Sequence, residues 1–242
     1  MLAGELAQNT QHFSSNWSSQ QLLKTKELIE QVQLGLIKNA VVRAYQPLPT
    51  AAFSRRETFL PGFANAVEVA QQVGYAPAIR LTGGRCVVYD QNSVVLDVVF
   101  SETNRKKTSE EHFIAFADWF VNHLQQFGLD ARVGQLDGEY CPGPYSVNAS
   151  GEIKIVGVAQ RVLIGARLIS SVIQISDAEK PRWAMTEINQ AMGFAWRSET
   201  FGAVEDKSVM FYNSDFRESL ALAAADFVNE YSGGLEVDIF RS

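Results

Sequence analysis

Two residue types capable of acyl chemistry stand close together in this chain: a cysteine in Tyr140-Cys141-Pro142-Gly143 and, shortly after it, Lys154. Pro142 fixes its own φ and drives Cys141 toward an extended backbone, and Gly143 permits a tight turn, so the thiol is held on a loop tip. A thiolate there can attack an acyl carbonyl and carry the acyl group as a thioester. An ammonium nearby stabilises both the thiolate and the oxyanion of a tetrahedral intermediate. No histidine adjoins Cys141 in sequence, so activation needs a cation or a histidine brought in by the fold. Plain readings also exist: a structural cysteine, and an edge lysine whose stem lies along apolar surface.

A second stretch, Arg80-Leu81-Thr82-Gly83-Gly84-Arg85, joins two predicted strands. Adjacent glycines let backbone N–H groups approach a ligand closely, and the flanking arginines suit a carboxylate or phosphate. An ordinary turn with surface arginines would read the same way. Cys86, inside the apolar strand that follows, reads as a small buried hydrophobe. His112 and His123 lie too far apart on one predicted helix to share a metal, and together with His12 read as structural. The sequence holds no P-loop, no G-x-G-x-x-G after a strand, no C-x-x-C and no H-E-x-x-H.

The elements that must position these residues follow from periodicity. Asn148–Gly151 is a turn, and the strand Glu152–Arg161 after it would place Lys154, Val156, Val158 and Gln160 on one face. A long strand over Val162–Ser176 follows. Upstream, Ser18-x-x-Gln21 reads as a capping box for a first helix, Asn39–Gln46 as a strand and Phe53–Phe59 as a loop. A helix after Pro61 ends at Gly74. Ala76–Leu81, Arg85–Asp90 and Ser93–Phe100 read as strands, the last two as a hairpin turned by Asp90–Ser93. Thr108-x-x-Glu111 caps a long helix that stops at Gly128, and a short strand lies near Ala131–Gln135. A helix over Pro181–Met192, an irregular stretch 194–212, a helix from about Asp215 to Tyr231 and a strand over Leu235–Phe240 complete the chain. Hairpins outnumber βαβ alternations, so the expected class is α+β: a mixed, largely antiparallel sheet flanked by helices.

The 242 residues, 46% hydrophobic and 11% aromatic, suit one packed domain, with residues 1–17 as a flexible N-terminus. A net charge of −6 argues against general nucleic-acid binding. No apolar run reaches membrane-spanning length, and no basic segment followed by an apolar core opens the chain, so the expected location is cytoplasmic, with both cysteines free. The adjacent basic residues, Arg55-Arg56 and Arg105-Lys106-Lys107, fall in predicted loops and could steer an acidic partner.

Arg80-x-Thr-Gly-Gly-Arg-x-Val-x-x-Asp90, then Lys154-Ile-x-Gly-x-Ala-Gln160-Arg161 and Gly165, resembles the biotin/lipoate protein ligase and octanoyltransferase superfamily from about Val41 to Ile175. The resemblance implies that family's catalytic-domain fold, an acyl pocket lined by Arg80, Thr82, Gly83, Gly84, Arg85 and Tyr89, and a Lys154 that contacts the acyl carbonyl with Gly157 and Gln160 around it. Tyr140-Cys141-Pro142-Gly143 upstream of that lysine is similar to the cysteine-dependent octanoyltransferases, which implies Cys141 as nucleophile and an octanoyl or lipoyl group as substrate. The implied partners are lipoyl domains of 2-oxoacid dehydrogenases as acceptors, with the glycine cleavage H protein or acyl carrier protein as donor. No cofactor is implied for such a transferase, whereas a ligase would use ATP and Mg²⁺. Arg85 stands where ligases carry a third glycine, and Tyr89 and Ile164 where many members have histidine. A non-catalytic relative that binds lipoyl domains or acyl groups is the other reading.

Overall fold

Strand β5 (Ser93–Ser101) is apolar on both faces, and the fold is organised by covering both. The computed structural model describes residues 19–102, 107–208 and 216–240; the expected flexible segment 1–17, Ser18, Arg105 and Lys106 lie outside them. Around β5 the described strands form a sheet in the order β10-β1-β5-β9-β8-β7-β6. The others are β1 (Ala40–Tyr45), β6 (Ala131–Val133), β7 (Val147–Ala149), β8 (Ile153–Leu163), β9 (Ala166–Gln174) and β10 (Val237–Ile239). All pairings are antiparallel except β1 with β10. A smaller sheet, β3-β2-β4, is built from β2 (Thr50–Ser54), β3 (Ala76–Arg80) and β4 (Val87–Tyr89), with β2 and β3 parallel.

Strand periodicity decides what covers which face. Val42, Leu96, Val98, Ile169 and Ile173 pack under helices α3 (Ser109–Gln125) and α5 (Phe216–Ser232). Val41, Val99 and Leu168 point the other way, under helix α1 (Gln20–Gln33). On that same face Tyr45, Val95 and Val172 join the core of the smaller sheet, which is backed by α2 (Phe63–Gln72) and α4 (Glu179–Met192). The result is the α+β architecture expected, mixed and mostly antiparallel.

The sequence signals for the helix ends hold at α3, where Thr108 and Glu111 form the reciprocal capping box, and at α4, where Gly193 takes the left-handed conformation. At α1 the cap is Ser19, whose Oγ accepts from Leu22 N. Other expectations are corrected. The β4–β5 hairpin does not form: β4 pairs with β2 and β5 with β1 and β9, so the Asp90–Ser93 turn passes the chain from one sheet to the other. Phe53 and Ser54 end β2, and Glu57–Phe59 forms a 3₁₀ turn within the expected loop. The strand expected over Val162–Ser176 is divided by a turn at Ile164-Gly165, where Gly165 has φ +85°; apolar residues on both sides of it hid the break.

Candidate active site

On β8, strand β7 pairs only with Ile153–Val156, so from Gly157 onward β8 has no strand partner on that side among the described residues. A cleft of about 510 Å³ opens there. Gly157–Gln160 of β8 form one boundary, the Gly83–Arg85 turn another, the Tyr140–Ser146 loop a third, and Ser109 and Phe113 of α3 close the end. Val87, Val158 and Val172 add apolar surface. Phe113 stacks on Tyr145 with centroids 5.3 Å apart, and the Tyr145 hydroxyl donates to Glu110 Oε1 at 2.7 Å, which ties the Cys141 loop to α3.

Cys141 is half-buried at the wall of this cleft. The Arg85 backbone N–H points at its sulfur, 3.2 Å away. That approach requires Gly84, which has φ +96° and whose Cβ, were there one, would stand 3.0 Å from Cys141 Sγ and 2.8 Å from Arg80 Nη2. The Arg80 guanidinium is thus a close neighbour of the thiol. Its Nη2 donates to the Gly83 and Arg85 carbonyls, each at 2.7 Å, and so sets the shape of the turn. Arg85 lies over the Phe194 ring at 4.5 Å and reaches the Tyr140 carbonyl at 3.5 Å. The sulfur thus has a backbone donor aimed at it and a guanidinium on the other side of Gly84. No histidine lines the cleft among the described residues.

Lys154 is buried beside the same loop. Its Nζ donates to the Cys141 carbonyl at 2.8 Å and to Glu139 Oε1 at 2.8 Å, and lies 4.7 Å above the Tyr140 ring. The expected sharing of a face with Val156, Val158 and Gln160 is corrected by a bulge. Asn148 pairs with Lys154 but Val147 pairs with Val156, which leaves Ile155 as the extra residue. Ile155 and Val156 both enter the core under α3, and Lys154 falls on the opposite side with Gly157. A Cβ on Gly157 would lie 3.4 Å from the Tyr140 hydroxyl and 3.5 Å from Lys154 Cε, so glycine keeps that corner open.

Gln160 lines the cleft and donates to Ser109 O at 2.8 Å, while its oxygen accepts from Arg167. Thr82 and Tyr89 line a separate, smaller recess beside Arg80 rather than the cleft. Burial pushes the Tyr89 and Tyr140 hydroxyls well above the usual tyrosine range, so both stay neutral. Burial, reinforced by the Glu57 charge, also raises the Cys86 thiol, which makes it an inert core residue. His112 bonds the Tyr231 hydroxyl at 2.8 Å, and burial, with the Arg167 and Lys107 charges, lowers it to about 4. Two carboxylates that sequence reasoning missed hold the site together. Glu57 accepts from Ser54 N, Ser54 Oγ and Cys86 N at 2.7, 2.9 and 2.7 Å. Glu139, 1% exposed, accepts from Leu136 N, Ser146 Oγ and Lys154 Nζ. Nothing in the local pattern marks either; only Glu139's place two residues before Cys141 could have drawn attention to it.

Residues 26–180 match the family model described as the lipoyl protein ligase A/B catalytic domain. An octanoyl-[GcvH]:protein N-octanoyltransferase of Geobacillus kaustophilus is 30% identical over 127 residues, 52% of this chain and 44% of that protein. A lipoyl-[GcvH]:protein N-lipoyltransferase of Listeria monocytogenes is 26% identical over 126 residues, 50% of this chain and 44% of that protein. In fold, the chain is similar to a lipoate-protein ligase A bound with ATP, with TM-score 0.64 at 20% identity over 91% of this chain and 83% of that one. It is also similar to a putative lipoate protein ligase of Thermoplasma acidophilum with bound lipoic acid, with TM-score 0.64 at 19% identity over 94% and 86%. The chain spans about half the length of the curated relatives it matches.

Proposed function

Because the chain belongs to the lipoyl protein ligase A/B catalytic domain family, we propose that it is a protein acyltransferase that moves an octanoyl or lipoyl group onto a lysine of a lipoyl domain through a thioester on Cys141. The observation that carries this reading is the aim of the Arg85 N–H at the Cys141 sulfur, 3.2 Å away in a cleft with apolar walls. An ATP-dependent ligase needs neither that thiol nor that donor. The relatives' names place the acyl group on GcvH, and GcvH is accordingly the donor proposed here. The site works as a transferase without ATP or Mg²⁺, and the glycines of the turn let the acyl chain lie against backbone.

The chemistry runs in two balanced halves. The sulfur attacks the acyl carbonyl, the C–S bond forms as the donor's C–N bond to its lysine breaks, and the thiol proton leaves with the departing amine. An acceptor lysine amine then attacks the thioester; a C–N bond forms, the C–S bond breaks, and the proton shed by the amine returns to sulfur. Preorganised donors around the carbonyl carry the negative charge of each tetrahedral state. Incubation with octanoyl-GcvH should add the mass of one octanoyl group to the intact protein, and Cys141→Ala should abolish both that adduct and octanoylation of a lipoyl domain. Undiminished transfer by Cys141→Ala would overturn the thioester route and favour a ligase.

A further inference from the structure

Lys154 is not a free cation in the cleft. One N–H goes to a carboxylate and another to the nucleophile's own carbonyl, and the carboxylate is almost completely enclosed. The geometry points to Glu139 as the positioning residue of the acyl-transfer centre: its carboxylate fixes where the Lys154 ammonium sits relative to Cys141, so that the ammonium's third N–H is held for the acyl oxygen. This rests on the transferase reading above.

Three features carry the argument. The carboxylate closes the loop that bears the nucleophile at both ends, since Oε2 accepts from Leu136 N at 3.0 Å and Oε1 accepts from Ser146 Oγ at 2.7 Å. The same Oε1 holds Lys154 at 2.8 Å, which couples the loop to the bulged strand. Glu139 also offsets the Lys154 charge within a buried ion pair, and the donor aimed at the Cys141 sulfur is the Arg85 N–H instead. The two tasks are therefore divided: the Gly83–Arg85 turn tends the sulfur, and the Glu139–Lys154 pair tends the oxygen. A buried ammonium without its anion would turn toward water, and a flexible lysine stem leaves it free to do so.

The division of tasks is testable. In Glu139→Gln, single-turnover formation of the acyl-enzyme from an octanoyl thioester, read by intact mass, should slow by about 100-fold, the lower end for loss of one preorganised donor. Alkylation of Cys141 by iodoacetamide should stay within about twofold of the parent, since the donors to sulfur are untouched. Lys154→Met should slow acylation similarly, and Glu139→Gln/Lys154→Met should be no slower than Lys154→Met alone, because the two act as one unit. The double variant has no buried unpaired charge and so remains foldable if either single variant is not. Equal acylation by Glu139→Gln and the parent, multiplicative losses in the double variant, or a parallel fall in alkylation would each overturn the positioning role. Absence of an acyl-enzyme in the parent would instead overturn the transferase reading, and this role with it.

Discussion

Gly84 is the glycine at which an added methyl group would press directly on the nucleophile's surroundings. An L-residue at φ +96° is strained by about 1–3 kcal/mol, and the added carbon would press on both the Arg80 guanidinium and the Cys141 sulfur. Gly84→Ala should therefore lower stability by roughly that amount and slow Cys141 alkylation several-fold, while Gly83→Ala, with nothing within 4 Å, should do neither. Thermal unfolding and iodoacetamide kinetics on the pair of variants check this. At this scale the sequence was legible wherever a residue type is scarce or conformationally special: a proline-locked cysteine, adjacent glycines, a lysine in an apolar strand. Glu57 and Glu139 were not legible, because an acidic residue is exposed by default and only the fold shows it enclosed. Thr82 and Tyr89, expected at the acyl pocket through resemblance, sit in a neighbouring recess, since side chains of the strands joined by the turn need not point into the cleft its tip borders.

Among elements, the 3₁₀ turn Glu57–Phe59 is the buttress of the Gly83–Arg85 turn, because its first side chain accepts the Cys86 N–H. In Glu57→Gln an amide NH₂ must face a backbone N–H, which leaves a buried donor unpaired at a cost of about 1–3 kcal/mol. We expect a fall in melting temperature of a few degrees, about 2–4 °C per kcal/mol for a chain of this size. Cys141 alkylation should slow as the turn loosens, and unchanged kinetics would dissociate the buttress from the site. Helix boundaries were legible from caps at Thr108 and Gly193. Pairing partners were not: alternation gives a strand its faces but not its neighbours, so Asp90–Ser93 read as a hairpin although the chain changes sheets there. The bulge at Ile155 shifts the phase of β8 and reverses the face of Lys154, which no periodicity count anticipates.

For the whole molecule, the α+β class was legible because alternating strands and capped helices were distinct. The division into two sheets was not, because it depends on contacts distant in sequence. On the proposed transfer to a lipoyl domain, the net charge of −6 gives an acidic acceptor no overall attraction, and local positive charge would have to guide encounter. Lys107 is turned to the Tyr231 carbonyl at 2.9 Å and its ring at 3.3 Å. Arg55 and Arg56 are exposed and directly precede Glu57, which holds the residue after Arg85 at the cleft. Arg55→Glu/Arg56→Glu should reduce transfer to a lipoyl domain at low salt and flatten its salt dependence, and leave acylation by a small thioester intact. Equal salt slopes for variant and parent would return the pair to plain surface charge.

The thiol and the donor aimed at it come from opposite sides of a join: Cys141 from the loop that leads into the large sheet, the Arg85 N–H from the turn of the small one. Neither sheet holds the proposed site by itself. The spacing of sulfur and donor is thus a ruler laid across that join, and a molecule whose sheets were each intact but mis-seated would keep the circular dichroism of the native state while losing the proposed chemistry.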